Sequence, residues 1–278
     1  GLKIDLKINT DIKSFFQNYI KYKRNTVSRD EWVLKSNGWK KKYPIILKEF
    51  FKEKKNVNPY VFMNKLSELL NSKDIIIGDT GAHLTWMMQA LRVKLGQKVF
   101  SAFGNSPMGY SLPASIGASM AKNKKRIICI AGDGSVQFNL QELHTVDKLK
   151  LPIKIFIFNN NGYGIIKQFQ ELYLNKRYEA TGTGRGVSNP NFKKISKAFN
   201  INYNLIRNHN ELKNLNKIIN SKDAEIIELN IKDNQKIIPK LQFGNPIEDL
   251  SPLLTRKEFY KNMDISLVKK DKKIFEAN

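Results

Sequence analysis

Two stretches decide the fold of this chain: Ile127-Ile128-Cys129-Ile130-Ala131-Gly132-Asp133-Gly134, and Ile153-Lys154-Ile155-Phe156-Ile157-Phe158-Asn159-Asn160-Asn161-Gly162. Each is a short, nearly continuous apolar run ended by glycine and polar residues, the pattern of a strand buried on both faces. Between them, Gln137 to Leu149 carries Phe138, Leu140, Leu143, Val146 and Leu149 and predicts a helix. A strand–helix–strand crossover is right-handed, which makes the two strands parallel. Both polar clusters then emerge at the carboxyl ends of their strands, where open α/β sheets bind ligands. Asp133 and Asn160, 27 positions apart, are expected to face one another across that edge. A carboxylate, an amide oxygen and a loop carbonyl are hard oxygen donors, suited to Mg²⁺ shared with a phosphorylated ligand. The glycines let backbone approach such a ligand closely.

The alternation continues on either side. A helix from Pro59 to Leu70 leads to a strand at Ile75-Ile76-Ile77 and a turn, Gly78-Asp79-Thr80-Gly81. A helix from Ala82 to Arg92, a short strand near Val99, a glycine-punctuated loop from Gly104 to Gly109 and a helix from Leu112 to Ala121 follow. Beyond the second apolar run come a helix from Phe192 to Phe199, a strand from Tyr203 to Ile206, a helix from Glu211 to Ile219 and a strand from Glu225 to Ile231. This order predicts a doubly wound, mostly parallel α/β sheet with a helical N-terminal extension. Residues 1–24 hold one short amphipathic piece from Asp11 to Tyr22, too small to bury its own core. Residues 25–57 read as a helical linker, 58–236 as the main domain, and 237–278 as a charged tail with little periodicity.

Composition narrows the function. The chain has 278 residues and a formal net charge of +23, which raises nucleic acid as a partner. The lysines are spread along the chain instead of clustering with aromatics, and Lys, Asn and Ile are enriched together, a codon bias of A/T-rich genes. Solvated faces explain the charge, so no nucleic-acid partner is expected. No apolar run is long enough to span a membrane, so no membrane partner is expected either. The one cysteine, Cys129, sits inside an apolar strand and fits a reducing, cytoplasmic setting.

The GDG triplet followed by NN resembles the diphosphate-binding motif of thiamine-diphosphate (ThDP) enzymes. The resemblance runs over about residues 30 to 235 and is nearest to the acetohydroxyacid synthase and decarboxylase branch. It implies ThDP and Mg²⁺ as cofactors. Asp133, the Asn160 side chain and the Gly162 carbonyl would be the metal ligands, with Gly132, Gly134 and Ser135 against the phosphates. Gly81-Ala82-His83 followed by Trp86 is similar to that branch's GQH–W segment at the diphosphate end. Pro107-Met108-Gly109-Tyr110 is similar to its T-M-G-Y segment, which makes Met108 the apolar wedge that props the cofactor into its bent shape. Backbone of the loop ending at Gly109 would contact the pyrimidine.

Gly162-Tyr163-Gly164-Ile165-Ile166-Lys167-Gln168-Phe169-Gln170 resembles the branch's G-x-x-G-M-V-x-Q-W-Q run. Ile165 would pack near the thiazolium. Phe169 stands where acetohydroxyacid synthases carry a Trp that helps select the second substrate, and this departure puts branched-chain amino-acid synthesis in doubt. Gly244 to Asp249 with Ser251 to Leu254 is fainter in its likeness to members encoded near surface-polysaccharide genes. The activating glutamate of the family belongs to a separate pyrimidine-binding domain, which this sequence lacks. The expectation is therefore a catalytically incomplete carboxy-terminal half, with residues 1–24 a remnant of the family's central domain; a natural split subunit is the alternative. FAD would enter only through that central domain.

The implied activity is decarboxylation of a 2-keto acid, pyruvate foremost, with transfer to a carbonyl acceptor, either a second 2-keto acid or a keto sugar. A simple decarboxylase and a non-catalytic assembly module are the alternatives. Family active sites form between subunits, which implies a homodimer or tetramer of the full-length protein, or a partner chain carrying the pyrimidine-binding domain.

Overall fold

A computed structural model describes residues 4–22 and 28–265 of the chain. Two compact units divide at Pro44/Ile45. In the first, α1 (Ile12–Lys21) starts at Asp11, whose carboxylate accepts the Lys13 and Ser14 amides at 2.9 and 3.3 Å and so caps two orphan donors. α2 (Asp30–Lys42) carries Trp32 and Trp39, whose rings meet edge-on at 5.7 Å. Neither helix has a buried residue.

The second unit is built on one six-stranded, all-parallel sheet. Its strands are β1 (Ile75–Gly78), β2 (Lys98–Phe100), β3 (Ile127–Gly132), β4 (Ile153–Asn159), β5 (Asn202–Ile206) and β6 (Glu225–Asn230), in the spatial order β2-β1-β3-β4-β6-β5. The chain runs from β1 outward to β2, then returns to lay β3 on the other side of β1. The β1–β3 crevice is therefore the point where the strand order reverses, the place where such sheets leave room for a ligand.

Helices cover both faces. α3 (Pro59–Leu69) and α4 (Ala82–Ala90) pack on one face, with α9 (Leu215–Ile219), around Ile76, Ile128, Ile130, Phe156, Phe158, Ile227 and Leu229. α5 (Ser111–Ala121), α6 (Glu142–Leu149) and α8 (Phe192–Ala198) bury Ile75, Ile77, Ile127, Cys129, Ile153, Ile155 and Ile157 on the other. Successive residues of a strand point to opposite faces, so a sheet covered twice needs apolar residues at every position. That is why β3 reads as an unbroken apolar run and β4 as one interrupted at Lys154, a buried residue whose Nζ donates to Ser221 Oγ at 2.5 Å. α7 (Gly164–Tyr173) follows β4 directly, and α10 (Arg256–Asn262) lies near the end of the described chain.

Two of the expected helices needed revision. The helix drawn from Gln137 to Leu149 is two pieces, a 3₁₀ segment Ser135–Asn139 and then α6. The tighter winding serves side chains that reach outward: Gln137 Nε2 donates to the Asp133 carbonyl at 2.9 Å, and Asn139 Nδ2 to the Gly109 carbonyl at 2.8 Å. The helix from Glu211 to Ile219 likewise begins as a 3₁₀ segment, His209–Asn214.

The start of the segment expected as a tail is tied to the sheet unit. Residues 236–239 strap across α3, α4 and α7, held by a reciprocal pair between the Gln168 amide and the Ile237 backbone (2.9 and 3.1 Å), by Trp86 Nε1 on the Lys236 carbonyl and by Gln89 on the Pro239 carbonyl. These bonds are backbone-directed and leave no periodic mark in sequence. The first residues of the expected linker that follow Pro44 also belong to the sheet unit: Ile45, Ile46 and Phe50 pack against its core. Lys23 to Val27 lie outside the described residues.

Candidate cofactor-binding site

Four loops meet at the carboxyl edge of β1, β3 and β4. Together they line a cleft of about 150 Å³ whose walls include Gly81, Ala82, His83, Met108, Gly132, Asp133, Gly134, Ser135, Asn160, Gly162, Tyr163, Gly164 and Ile165. These residues come from segments up to 84 positions apart in sequence, and parallel register brings them together: β3 pairs with β4 so that Gly132 stands beside Phe158. Gly109 and Phe169, also expected at the site, do not line this cleft.

Asp133 is its electrostatic centre. The side chain is buried, and its Oδ2 accepts the Gly162 amide at 2.9 Å and Asn189 Nδ2 at 2.7 Å, while Oδ1 accepts the Gly134 amide at 2.9 Å. A carboxylate offers about four lone-pair positions, so three are filled and one remains, on Oδ1. Burial pushes the Asp133 carboxyl up to about 6, against the opposing pull of the Gly162 amide, Asn189, the Gly134 amide and the Lys167 charge. A cation placed at the vacant lone pair would relieve that cost.

Asn160 adds a second donor group. It is buried, and its Nδ2 has no hydrogen-bond partner. His83 is buried as well with Nε2 unpartnered, and burial pushes its imidazole down to about 4, opposed by the charge and backbone of Asp79. His83 is thus neutral at physiological pH. Orphaned buried polar atoms are costly, and two of them in one cleft mark where a ligand would supply the missing bonds.

The glycines are needed by shape. A Cβ on Gly132 would sit 2.7 Å from His83 Nδ1. Gly162 has φ +144°, and a Cβ there would lie 2.2 Å from the Thr181 carbonyl oxygen.

Among the described residues no group of three or more His, Cys, Asp or Glu could hold a metal. A cation at this edge must draw instead on Asp133, on amide and backbone oxygens, and on oxygens of the ligand itself. That donor set is hard and poor in charge, and it would suit a hard divalent cation that takes the rest of its shell from a phosphorylated ligand.

Ser135 is engaged locally: its Oγ accepts the Gly132 amide at 3.0 Å and faces the Gly132 carbonyl at 3.4 Å. Met108 is half-buried in the cleft wall. Gly109 belongs to the support behind that wall, its amide held by Asp79 Oδ1 at 2.9 Å. Phe169 packs tilted against Tyr173 (4.9 Å between ring centroids) and edge-on to Phe243 (5.9 Å).

Two organising residues escaped the sequence reading. Asp79 is fully buried and also accepts the Ser111 amide at 2.8 Å, so one carboxylate pins both ends of the turn that follows Met108. Its position after Gly78 at the end of β1 repeats the Gly-Asp step with which Gly132-Asp133 ends β3, and that was the available signal. Asn189 bonds both Asp133 and Asn159 from a loop 56 positions downstream, where nothing local distinguishes it from any other loop asparagine.

The sequence profile of the thiamine pyrophosphate enzyme C-terminal TPP binding domain matches residues 79–228, more than half of the chain. The chain belongs to that family. Thiamine pyrophosphate is ThDP under its other name, and the cleft falls inside the matched span. Among the curated relatives of this TPP-binding chain, an acetolactate synthase large subunit from Cyanidium caldarium is 32% identical over 246 residues, covering 86% of this chain and 41% of that protein. A large subunit from Lactococcus lactis is 25% identical over 87% of this chain and 41% of its own length. The mitochondrial catalytic subunit of Saccharomyces cerevisiae acetolactate synthase is 29% identical over 80% of this chain and 32% of that protein. The chain spans about two fifths of the length of the first two and a third of the last. The all-parallel doubly wound sheet is the fold expected of the domain.

Proposed function

We propose that this chain is the diphosphate-binding half of a ThDP- and Mg²⁺-dependent carboligase of the acetolactate synthase type, acting on a 2-keto acid, with pyruvate the leading candidate. The observation that carries the reading is the buried Asp133 carboxylate with one lone pair left, beside Asn160 and Gly162. Asp133 Oδ1, the Asn160 amide oxygen and the Gly162 carbonyl would hold the metal. Gly132, Gly134 and Ser135 would offer close backbone and hydroxyl contact to the phosphates, and Gly81, Ala82 and His83 would close the opposite wall. Met108 and Ile165 would form the apolar sides that fix the cofactor's shape, with Tyr163 and Gly164 beneath them.

When bound, ThDP supplies an electron sink for decarboxylation, and the protein supplies orientation and a dry, preorganised site. His83, held neutral by burial, can share a hydrogen bond with a ligand but carries no positive charge to it. The activating glutamate is assigned to a pyrimidine-binding domain elsewhere in the longer protein or in a partner chain. The relatives are named large or catalytic subunits, which suits an assembly, here proposed as a homodimer or tetramer of the full-length protein. Phe169 is proposed to reach the acceptor from the aromatic cluster on α7, and FAD would depend on a central domain. The free, buried thiol of Cys129 suits a reducing cytoplasm.

Calorimetric titration of the chain with ThDP tests the core of this. Binding is expected only with Mg²⁺ and is expected to be lost in Asp133→Ala. Equal affinity in EDTA, or in the variant, sinks the metal assignment. Adding pyruvate to the chain together with a pyrimidine-binding domain, and identifying the products by mass, then separates a C4 acetolactate-type product from acetaldehyde alone.

A further inference from the structure

A second cavity, of about 290 Å³, touches the cofactor cleft only at Gly164. It uses a different stripe of α7: Gly164, Lys167 and Glu171 face it, whereas Ile165 and Ile166 line the cleft. Its other wall is the segment Thr181-Gly182-Thr183-Gly184-Arg185-Gly186, held against the turn after β4 by the Gly162–Gly182 bridge and by the Tyr163 amide on the Thr181 carbonyl at 3.0 Å.

The charges in this cavity do not balance locally. Glu171 pairs with Lys236 and accepts the Tyr178 hydroxyl at 2.7 Å, which leaves the single charge of Asp233, bonded to the neutral Asn161 Nδ2 at 2.8 Å, against two further cations. The remaining cations are not taken. Lys167 Nζ has a single hydrogen-bond contact, to the Asn161 carbonyl at 3.5 Å, besides the pull of its charge on Asp133, and the guanidinium of Arg185 has no hydrogen bond or ion pair among the described residues. The Thr183 hydroxyl is equally without a partner there. Two cations and a hydroxyl, all with donors to spare around one cavity, match the three oxygens and double charge of a phosphoryl group better than a single carboxylate. The volume exceeds what phosphate alone needs and comes near the lower end of small-molecule sites, about 300 Å³.

We propose that the cavity between α7 and residues 181–186 binds the phosphoryl group of a small phosphate ester, through Lys167, Arg185 and Thr183, as a site separate from the cofactor cleft. The test is calorimetry on the 278-residue chain with glucose 1-phosphate, inorganic phosphate and glucose as probes, at about 0.15 M salt so that long-range attraction to the basic chain is screened. Glucose 1-phosphate is expected to bind and glucose not to. Arg185→Gln and Lys167→Met should each weaken binding about tenfold or more, the loss of one charge-assisted contact. Lys122→Gln, an exposed lysine on another helix end, should leave it unchanged.

Saturating ThDP and Mg²⁺ should not displace the ester. Arg185 is exposed and unpaired, so its replacement should keep the melting curve of the wild type. Inorganic phosphate binding as tightly as the ester, with the same loss in both variants, supports the site and assigns it to free phosphate. Unchanged affinity in Arg185→Gln and Lys167→Met, equal weakening in Lys122→Gln, displacement by ThDP, or no binding of either phosphate probe overturns the proposal.

Discussion

Replacing Asp133 with Asn should stabilise the ligand-free chain at neutral pH while abolishing Mg²⁺-dependent ThDP binding. Burial raises the Asp133 carboxyl from 3.8 to about 6, so the folded state resists ionisation more than the unfolded state does. The sign follows from linkage. Below about pH 4 the group is protonated in both states and costs nothing. Between about 4 and 6 the unfolded chain ionises first and stability falls; above about 6 both are ionised and the full penalty is present. At about 1.4 kcal/mol per pH unit, that penalty is about 3 kcal/mol.

Asparagine removes the titration but presents an NH₂ to one of the three amides that Asp133 now accepts, a cost of about 1–3 kcal/mol that does not change with pH. The difference between variant and wild type therefore carries the information, since every other carboxylate cancels. Urea unfolding of both proteins in EDTA, followed by circular dichroism from pH 4 to 7.5, should show the variant gaining about 2.4 kcal/mol relative to wild type across that range, the rest of the penalty falling below pH 4. Saturating Mg²⁺ and ThDP should reverse the order at pH 7.5, because only the wild type binds. Parallel stability curves for the two proteins in EDTA would refute the claim that Asp133 is a strained, buried anion.

Two further outcomes test the support around the cleft. Asp79→Ala leaves the buried Gly109 and Ser111 amides without an acceptor, and at about 1–3 kcal/mol each should destabilise the chain by about 2–6 kcal/mol and weaken ThDP binding, read by thermal melts and calorimetry; an unchanged melt would show that Asp79 holds nothing. Gln168→Ala breaks the paired bonds to Ile237, and limited proteolysis should then cut first after Lys236 or Lys240, with the melting temperature lowered, while a wild-type cleavage pattern would dismiss the strap.

Much of this protein is local and therefore legible in its sequence. β3 and β4 announced themselves because a sheet covered on both faces demands apolar residues without alternation, a demand that Lys154 alone breaks within the two apolar runs, and their parallel pairing followed from the handedness of the crossover. The clustering of Gly132, Asp133 and Gly134 with Asn160 and Gly162 at one edge was fixed by the same logic, since strand ends in parallel register must meet. What the sequence left open is whatever depends on partners distant along the chain. The break of the expected helix at Gln137 serves carbonyls at Asp133 and Gly109. Asn189 acquires its place beside Asp133 only when a loop folds back over the edge. The tail strap is written in backbone hydrogen bonds that any residue could make. Sequence determined which chemistry stands at the ends of the strands, because side-chain type and strand period are local properties. Tertiary structure alone decided how that chemistry is held, because one lone pair left on a buried carboxylate is the remainder after three long-range or turn-borne hydrogen bonds have been made.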